Sequence, residues 1–144
     1  MFDPKTPTER ESFAFDFDGM MCEDWSGRDE EGVESEEFIL NARPRWLPRR
    51  ADVSLVVTAR LEKHREGTLD WLARHGIKVR ELRMAAWPST AERRQYYNAG
   101  EYKGKAFALS HCELFIESDH NQAKEIFEVA KKAVLCPLTG TVFQ

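Results

Sequence analysis

At 144 residues, with 42% hydrophobic and 32% charged side chains, the chain suits one soluble domain with its own core and is too apolar for a disordered polymer. Its net charge of −4 excludes a generally basic nucleic-acid surface, although arginines gather locally at Arg43, Arg45, Arg49 and Arg50, and again at Arg60 and Arg65 beside Lys63. No apolar run approaches the ~20 residues of a membrane span, and the opening MFDPKTPTER lacks the apolar segment of a secretion signal, so a cytoplasmic protein with no membrane partner is the expectation.

Residues 1–11, polar and carrying Pro4 and Pro7, read as a loose lead-in. The stretch from Ser12 to Gly19, SFAFDFDG, then reads as a short buried strand over residues 12–16 that ends in Asp16 and, one residue on, Asp18. Carboxylates this close repel each other and resist desolvation, so a partly solvated tip calls for a cation, a shared proton or a substrate. Mg²⁺ is the cation expected. An Asp-rich turn is the ordinary alternative; an EF-hand loop is set aside because Met20 and Met21 stand where an acid or amide and a glycine are needed.

The acid-rich stretch from Glu23 to Glu37 reads as a loop or flap, within an insertion over residues 20–50. A short helix over Ser35–Ala42 is expected, with Ser35 as cap and Phe38, Ile39 and Ala42 inward, before Pro44 and Pro48 interrupt. Ala51–Thr58 is the second strand, and Glu62–His75 a helix with Leu69, Leu72 and Ala73 inward and Gly76 as its stop. Ile77–Met84 is a third strand, and Pro88 and Ser89 open a helix running to Tyr97, with Gly100 as its end. Lys103–Ser110 reads as helix and Glu113–Glu117 as a strand that again ends in an acid. Asn121–Lys132 is the clearest amphipathic helix, and Ala133–Cys136 a last strand before the tail. Cys22, Cys112 and Cys136 are odd in number without C-x-x-C spacing and read as reduced thiols, while the four histidines show no zinc-ligand spacing.

Strands alternating with helices argue a single α/β domain whose mainly parallel sheet is covered on both faces. Ligands bind such sheets beyond the carboxyl ends of the strands. Three strands here end in Asp16, Thr58 and Glu117, and they are expected to converge on one crevice.

Four segments in order, FAFDFDG, SLVVTAR, EYKGK and LFIESD, resemble the motifs of the haloacid dehalogenase-like (HAD) superfamily of phosphohydrolases, over roughly Ser12 to Cys136. The resemblance implies a three-layer Rossmann-like core and a Mg²⁺-dependent phosphatase, a hydrolase of phosphate monoesters acting through an aspartyl-phosphate. It implies that Asp16 is the nucleophile, Asp18 the general acid and base, and Thr58 and Ala59 the phosphate-binding strand end. Lys103 is the implied phosphate-site lysine, with Lys105 its competitor, and Arg60 reaches either the phosphate or the rest of the substrate. The metal would be held by Asp16, Asp18 through its main-chain carbonyl, and Glu117, with Asp119 as co-ligand or simply as a helix cap. Two departures stand out: Met20 after the first motif, and Glu117-Ser118-Asp119 in place of an Asp pair. The segment VVTARLEKHREGTLDWLARHGI is also similar, more weakly, to polynucleotide kinase 3'-phosphatase domains, although its Thr-x-x-Trp-Leu pattern also suits core packing.

Too few residues separate the motifs for a folded cap, so the crevice is expected to be open. It would take bulky phosphorylated substrates such as nucleic-acid ends or phosphoproteins, or need a partner or homo-oligomer to close over small ones. Trp25, Trp46 and Trp87 are candidates to stack a base or sugar. Alternatives to a phosphatase of small molecules are a nucleic-acid end-processing enzyme and a catalytically idle phosphate-binding module.

Overall fold

A computed structural model describes residues 13–25, 32–48, 52–96 and 98–144. The expected lead-in, Ser12, Ala51, Arg49, Arg50, Tyr97 and part of the flap lie outside the described residues. The elements are β1 (Phe13–Asp16), α1 (Val33–Asn41), β2 (Asp52–Leu61), α2 (Arg65–Arg74) after a 3₁₀ turn at Glu62–His64, β3 (Lys78–Ala85) and α3 (Thr90–Tyr96). They continue with α4 (Ala99–Leu109), β4 (Leu114–Ile116), α5 (His120–Ala130), β5 (Ala133–Cys136) and β6 (Thr141–Phe143).

Six strands form one sheet in the order β3-β2-β1-β4-β5-β6. All neighbours pair in parallel except β5 and β6. From β1 the chain winds outward to β2 and β3 on one side, then returns to β4 on the other. The strand order therefore reverses between β1 and β4, where an open α/β sheet leaves its crevice.

Each face of the sheet has its own core, giving three layers. Ala14, Leu55 and Phe115 pack with Phe107 of α4 and Ala123 and Ile126 of α5. On the other face Phe17, Val56, Trp71, Leu72 and Met84 pack with Ala42, which follows α1. Alternate residues of one strand thus serve opposite cores, as Ala14 and the half-buried Phe15 do, because successive side chains on a strand point to opposite faces.

Several local expectations are corrected. Gly32, not Ser35, stands at the N-terminus of α1, while the Ser35 hydroxyl donates back to the Gly32 carbonyl. In α2 the inward residues are Thr68, Trp71 and Leu72, whereas Leu69 is 41% exposed and Ala73 is also outside. The three-and-four spacing fits two adjoining stripes, and the largest side chain decides between them. Trp71 is fully buried, donates its indole N–H to the Ala42 carbonyl at 2.8 Å and meets Phe17 edge to face. Gly76 does end the turn after α2, with φ of +73°. Gly100 ends nothing; it lies inside α4, whose start is capped by Asn98.

β6 was not expected. It pairs antiparallel with β5 across a turn at Gly140, where φ is +66°. β2 runs past Thr58 to Leu61, and its register against β3 shifts there: Val57 stands opposite Arg83 and Leu61 opposite Ala85. Such an irregularity re-aims side chains at a sheet rim, and it is the segment Thr58–Arg60 that is re-aimed.

Candidate active site

β1 delivers Asp16 to the switch point and β4 delivers Glu117 beside it. Both carboxylates are buried, at 4% and 1% exposure, and Lys103 of α4 reaches between them. Its Nζ lies 2.9 Å from Asp16 Oδ1, 2.9 Å from Glu117 Oε2 and 2.8 Å from the amide oxygen of Gln122. α4 comes this close because it presents glycines to α5. A Cβ on Gly104 would stand 2.7 Å from Val129 Cβ, and one on Gly100 would meet Glu125. Lys105, two residues on and so on the other side of the helix, is 68% exposed and pairs with Glu101, so of the two lysines it is Lys103 that enters the crevice.

Burial pushes the Asp16 carboxyl well above its ordinary range, Lys103 opposes that, and Glu117 pushes it up further. One ammonium faces two buried carboxylates, so the trio is short of positive charge.

Asp18 has a different partner. Arg60 Nε and Nη2 grip its carboxylate, with Nη2 2.8 Å from Oδ1 and Nε 3.0 Å from Oδ2. The guanidinium is held from the other side by the Thr68 hydroxyl at 3.1 Å and lies over the Phe17 ring, 4.3 Å from its centroid. Expected at the phosphate or the rest of the substrate, Arg60 is here buried at 7% exposure and engaged with Asp18. The Thr58 hydroxyl is likewise turned inward, donating to Asp18 Oδ2 at 3.4 Å and accepting from the Arg60 N–H at 3.1 Å. Its neighbour Ala59 is the residue of that pair which faces the crevice.

Beyond β1 the chain reverses at Gly19, with φ of +81°, and its N–H donates to the Cys22 carbonyl. A Cβ there would stand 2.7 Å from a carboxylate oxygen of Asp24 and 2.9 Å from Ser118 Oγ, so a side chain would strain the backbone and push those side-chain ends aside. Met20, the departure after the first motif, is buried at 4% exposure. Cys22 touches Asp18 through its thiol, but burial pushes that thiol far above its ordinary range, which removes it as a nucleophile.

These residues enclose a cavity of about 190 Å³ whose walls include Asp16, Asp18, Ala59, Lys103, Glu117 and Asp119. Thr58 and Arg60 stand behind it. Asp119 uses one carboxylate oxygen as the cap of α5, accepting from the Gln122 N–H at 2.8 Å, and its own N–H donates to Glu117 Oε1. Among the described residues no three His, Cys, Asp or Glu side chains form a ready metal cage. The donors nevertheless fit Mg²⁺, which takes hard oxygens and usually only one or two carboxylates, completing its shell with water and phosphate. Asp16 and Glu117 supply two such groups and carry charge that Lys103 alone does not balance.

No family model, curated protein or solved structure matches the chain.

Three contributors were not anticipated. Gln122 helps hold Lys103, Thr68 holds Arg60, and Asp24 lines the same cavity with a carboxyl pushed up by burial and by Asp18 and Asp16. A threonine one turn before Trp71 on a packing helix was a visible signal for Thr68. Gln122 and Asp24 had no spacing to mark them. Of the tryptophans, Trp25 is half-buried against Phe38, with ring centroids 5.3 Å apart, Trp87 is half-buried and Trp46 is 39% exposed.

Proposed function

We propose that the protein is a Mg²⁺-dependent phosphomonoesterase of the HAD type that works through an aspartyl-phosphate on Asp16. The observation that carries the reading is the meeting of Asp16, Glu117 and Lys103 at the switch point, with Asp18 in the same cavity wall. A nucleophile, a second carboxylate for proton transfer and a fixed positive charge are what phosphoryl transfer asks of a protein.

In the first step an Asp16 oxygen bonds to phosphorus, the bond from phosphorus to the leaving oxygen breaks, and Asp18 gives that oxygen a proton. Water then attacks phosphorus, Asp18 takes its proton, and the bond to Asp16 breaks to release inorganic phosphate. Arg60 anchors the Asp18 carboxylate at the cavity wall, and one Asp18 oxygen must leave that fork to carry the proton. Lys103 offsets the carboxylates so that an anionic phosphate is not simply repelled. When bound, Mg²⁺ would supply further positive charge to the phosphoryl oxygens, held by Asp16 and Glu117.

The test is hydrolysis of p-nitrophenyl phosphate with and without Mg²⁺ by the wild-type chain and by Asp16→Asn. Turnover that needs both the cation and Asp16 is expected. Equal rates for the two chains would remove Asp16 from the chemistry. Absence of turnover with capture of BeF₃⁻ on Asp16 would leave a phosphate-binding module in place of an enzyme.

A further inference from the structure

A second cavity, of about 230 Å³, adjoins the first, and Asp18, Asp24 and Ala59 line both. Its chemistry is different. Trp25, Phe38, Ile39 and Leu61 give it an apolar and aromatic side, and Asp18, Asp24, Arg60, His64 and Arg93 a charged one. Two polar atoms are buried within its walls without a hydrogen-bond partner among the described residues, the indole N–H of Trp25 and the hydroxyl of Thr90, which is itself 7% exposed. An orphaned buried polar group carries its full desolvation cost, so two on one cavity point to a ligand that satisfies them.

The position indicates which part of a ligand this would be. A phosphoryl group on Asp16 must direct its leaving oxygen toward Asp18, and the second cavity opens from the Asp18 side. Its volume falls below the ~300–1,000 Å³ that hold a whole drug-sized ligand, so it suits one ring system attached to the phosphate. A sugar carries hydroxyls around its whole edge and would set several against Phe38, Ile39 and Leu61. A flat heterocycle has an apolar face for Phe38 and a polar edge that accepts from the Trp25 N–H and pairs with the Thr90 hydroxyl.

We propose that this cavity binds the base of a nucleoside phosphate whose phosphoryl group is presented to Asp16, as a mononucleotide or as the terminal nucleotide of a nucleic acid. The proposal rests on the phosphatase reading, and the experiment separates the two. First, adenosine, guanosine, cytidine and uridine, which carry no phosphate, are titrated calorimetrically into the full chain and into Trp25→Phe and Thr90→Val. Second, kcat/KM is compared for nucleoside monophosphates, for ribose 5-phosphate and for oligonucleotides with a terminal phosphate.

At least one nucleoside is expected to bind, and its monophosphate to be preferred over ribose 5-phosphate by tenfold or more. Each variant is expected to reduce that preference about fivefold to tenfold, the effect of one lost hydrogen bond. Preference for the oligonucleotide or for the mononucleotide identifies the source of the base, and either supports the proposal. Nucleoside binding without hydrolysis of any ester would remove the phosphatase and keep the base pocket. Hydrolysis with equal kcat/KM for nucleotide and ribose 5-phosphate, and no nucleoside bound, would keep the phosphatase and overturn the pocket.

Discussion

Two buried cations hold the carboxylates around the end of β1, and they hold them differently. Lys103 is shared between Asp16 and Glu117, so one positive charge faces two negative ones. Arg60 serves Asp18 alone, with a fork of donors on the carboxylate, a hydroxyl behind it and an aromatic face beneath. The first arrangement is electrostatically incomplete; the second is satisfied in its donors, and its carboxylate lines both cavities. A site that must accept an ion or a charged substrate needs the first kind of pairing, and a group that must keep its orientation through a reaction needs the second.

The contrast is tested most severely at Asp16. Asp16→Asn is expected to lower phosphatase turnover by on the order of 10⁴-fold or more, the scale of losing a covalent nucleophile. The same change should raise thermal stability. Burial lifts the folded-state pKa of Asp16 above its unfolded value, so the folded chain holds this proton more tightly. Stability contributed by Asp16 then falls as pH rises from about 3.9 through the folded-state value and is constant beyond it. The melting temperatures of wild type and variant should therefore nearly coincide at about pH 4 and separate toward neutral pH, with the variant higher. A variant that melts lower at neutral pH would show that Lys103 already balances the pair.

Removing the shared cation is the next largest step. Lys103→Met leaves Asp16 and Glu117 buried without a counter-charge and is expected to cost about 3–5 kcal/mol in urea denaturation. Adding Asp16→Asn to it should return part of that loss, because the two sites are in contact and their effects are coupled. Simple additivity in this cycle would contradict a shared charge.

Arg60→Lys probes the satisfied arrangement. A lysine cannot reproduce the fork or reach Thr68 at the same time, so a loss of about 1.5–3 kcal/mol is expected, with lower kcat and little change in KM. If Arg60 turns to the phosphate in the working enzyme, KM would rise instead and stability would hardly move.

How much of this was legible in the sequence depended on how local its cause was. The acids at Asp16 and Glu117 each follow a short apolar run, and that abrupt change announces a charged strand end to any reader of pattern. The choice of Lys103 over Lys105 was not available, because it is made by Gly100 and Gly104 letting α4 settle on α5, a contact between helices that spacing does not encode. The Arg60 grip was hidden for a related reason. A register shift in β2 turns Thr58 and Arg60 toward Asp18, and that shift belongs to the pairing of β2 with β3 rather than to either strand alone. β6 escaped because three residues are too few to show alternation, and its pairing is supplied by β5.

The smallest expected effect separates a metal ligand from a helix cap. Asp119 stands in the cavity wall two residues after Glu117, yet its carboxylate accepts from the Gln122 N–H at the start of α5. Asn caps a helix about as well as Asp, whereas Ala forfeits about 1 kcal/mol. Asp119→Asn should therefore keep the melting temperature within about 1–2 °C and leave the Mg²⁺ concentration for half-maximal activity within about twofold. Asp119→Ala should lower stability by about 1 kcal/mol with the same Mg²⁺ dependence. A shift of tenfold or more in that dependence for both variants, the usual cost of altering a metal's surroundings, would move Asp119 from the helix to the ion. Gln122 would then be the residue that links the two, since its N–H completes the cap and its side chain holds Lys103.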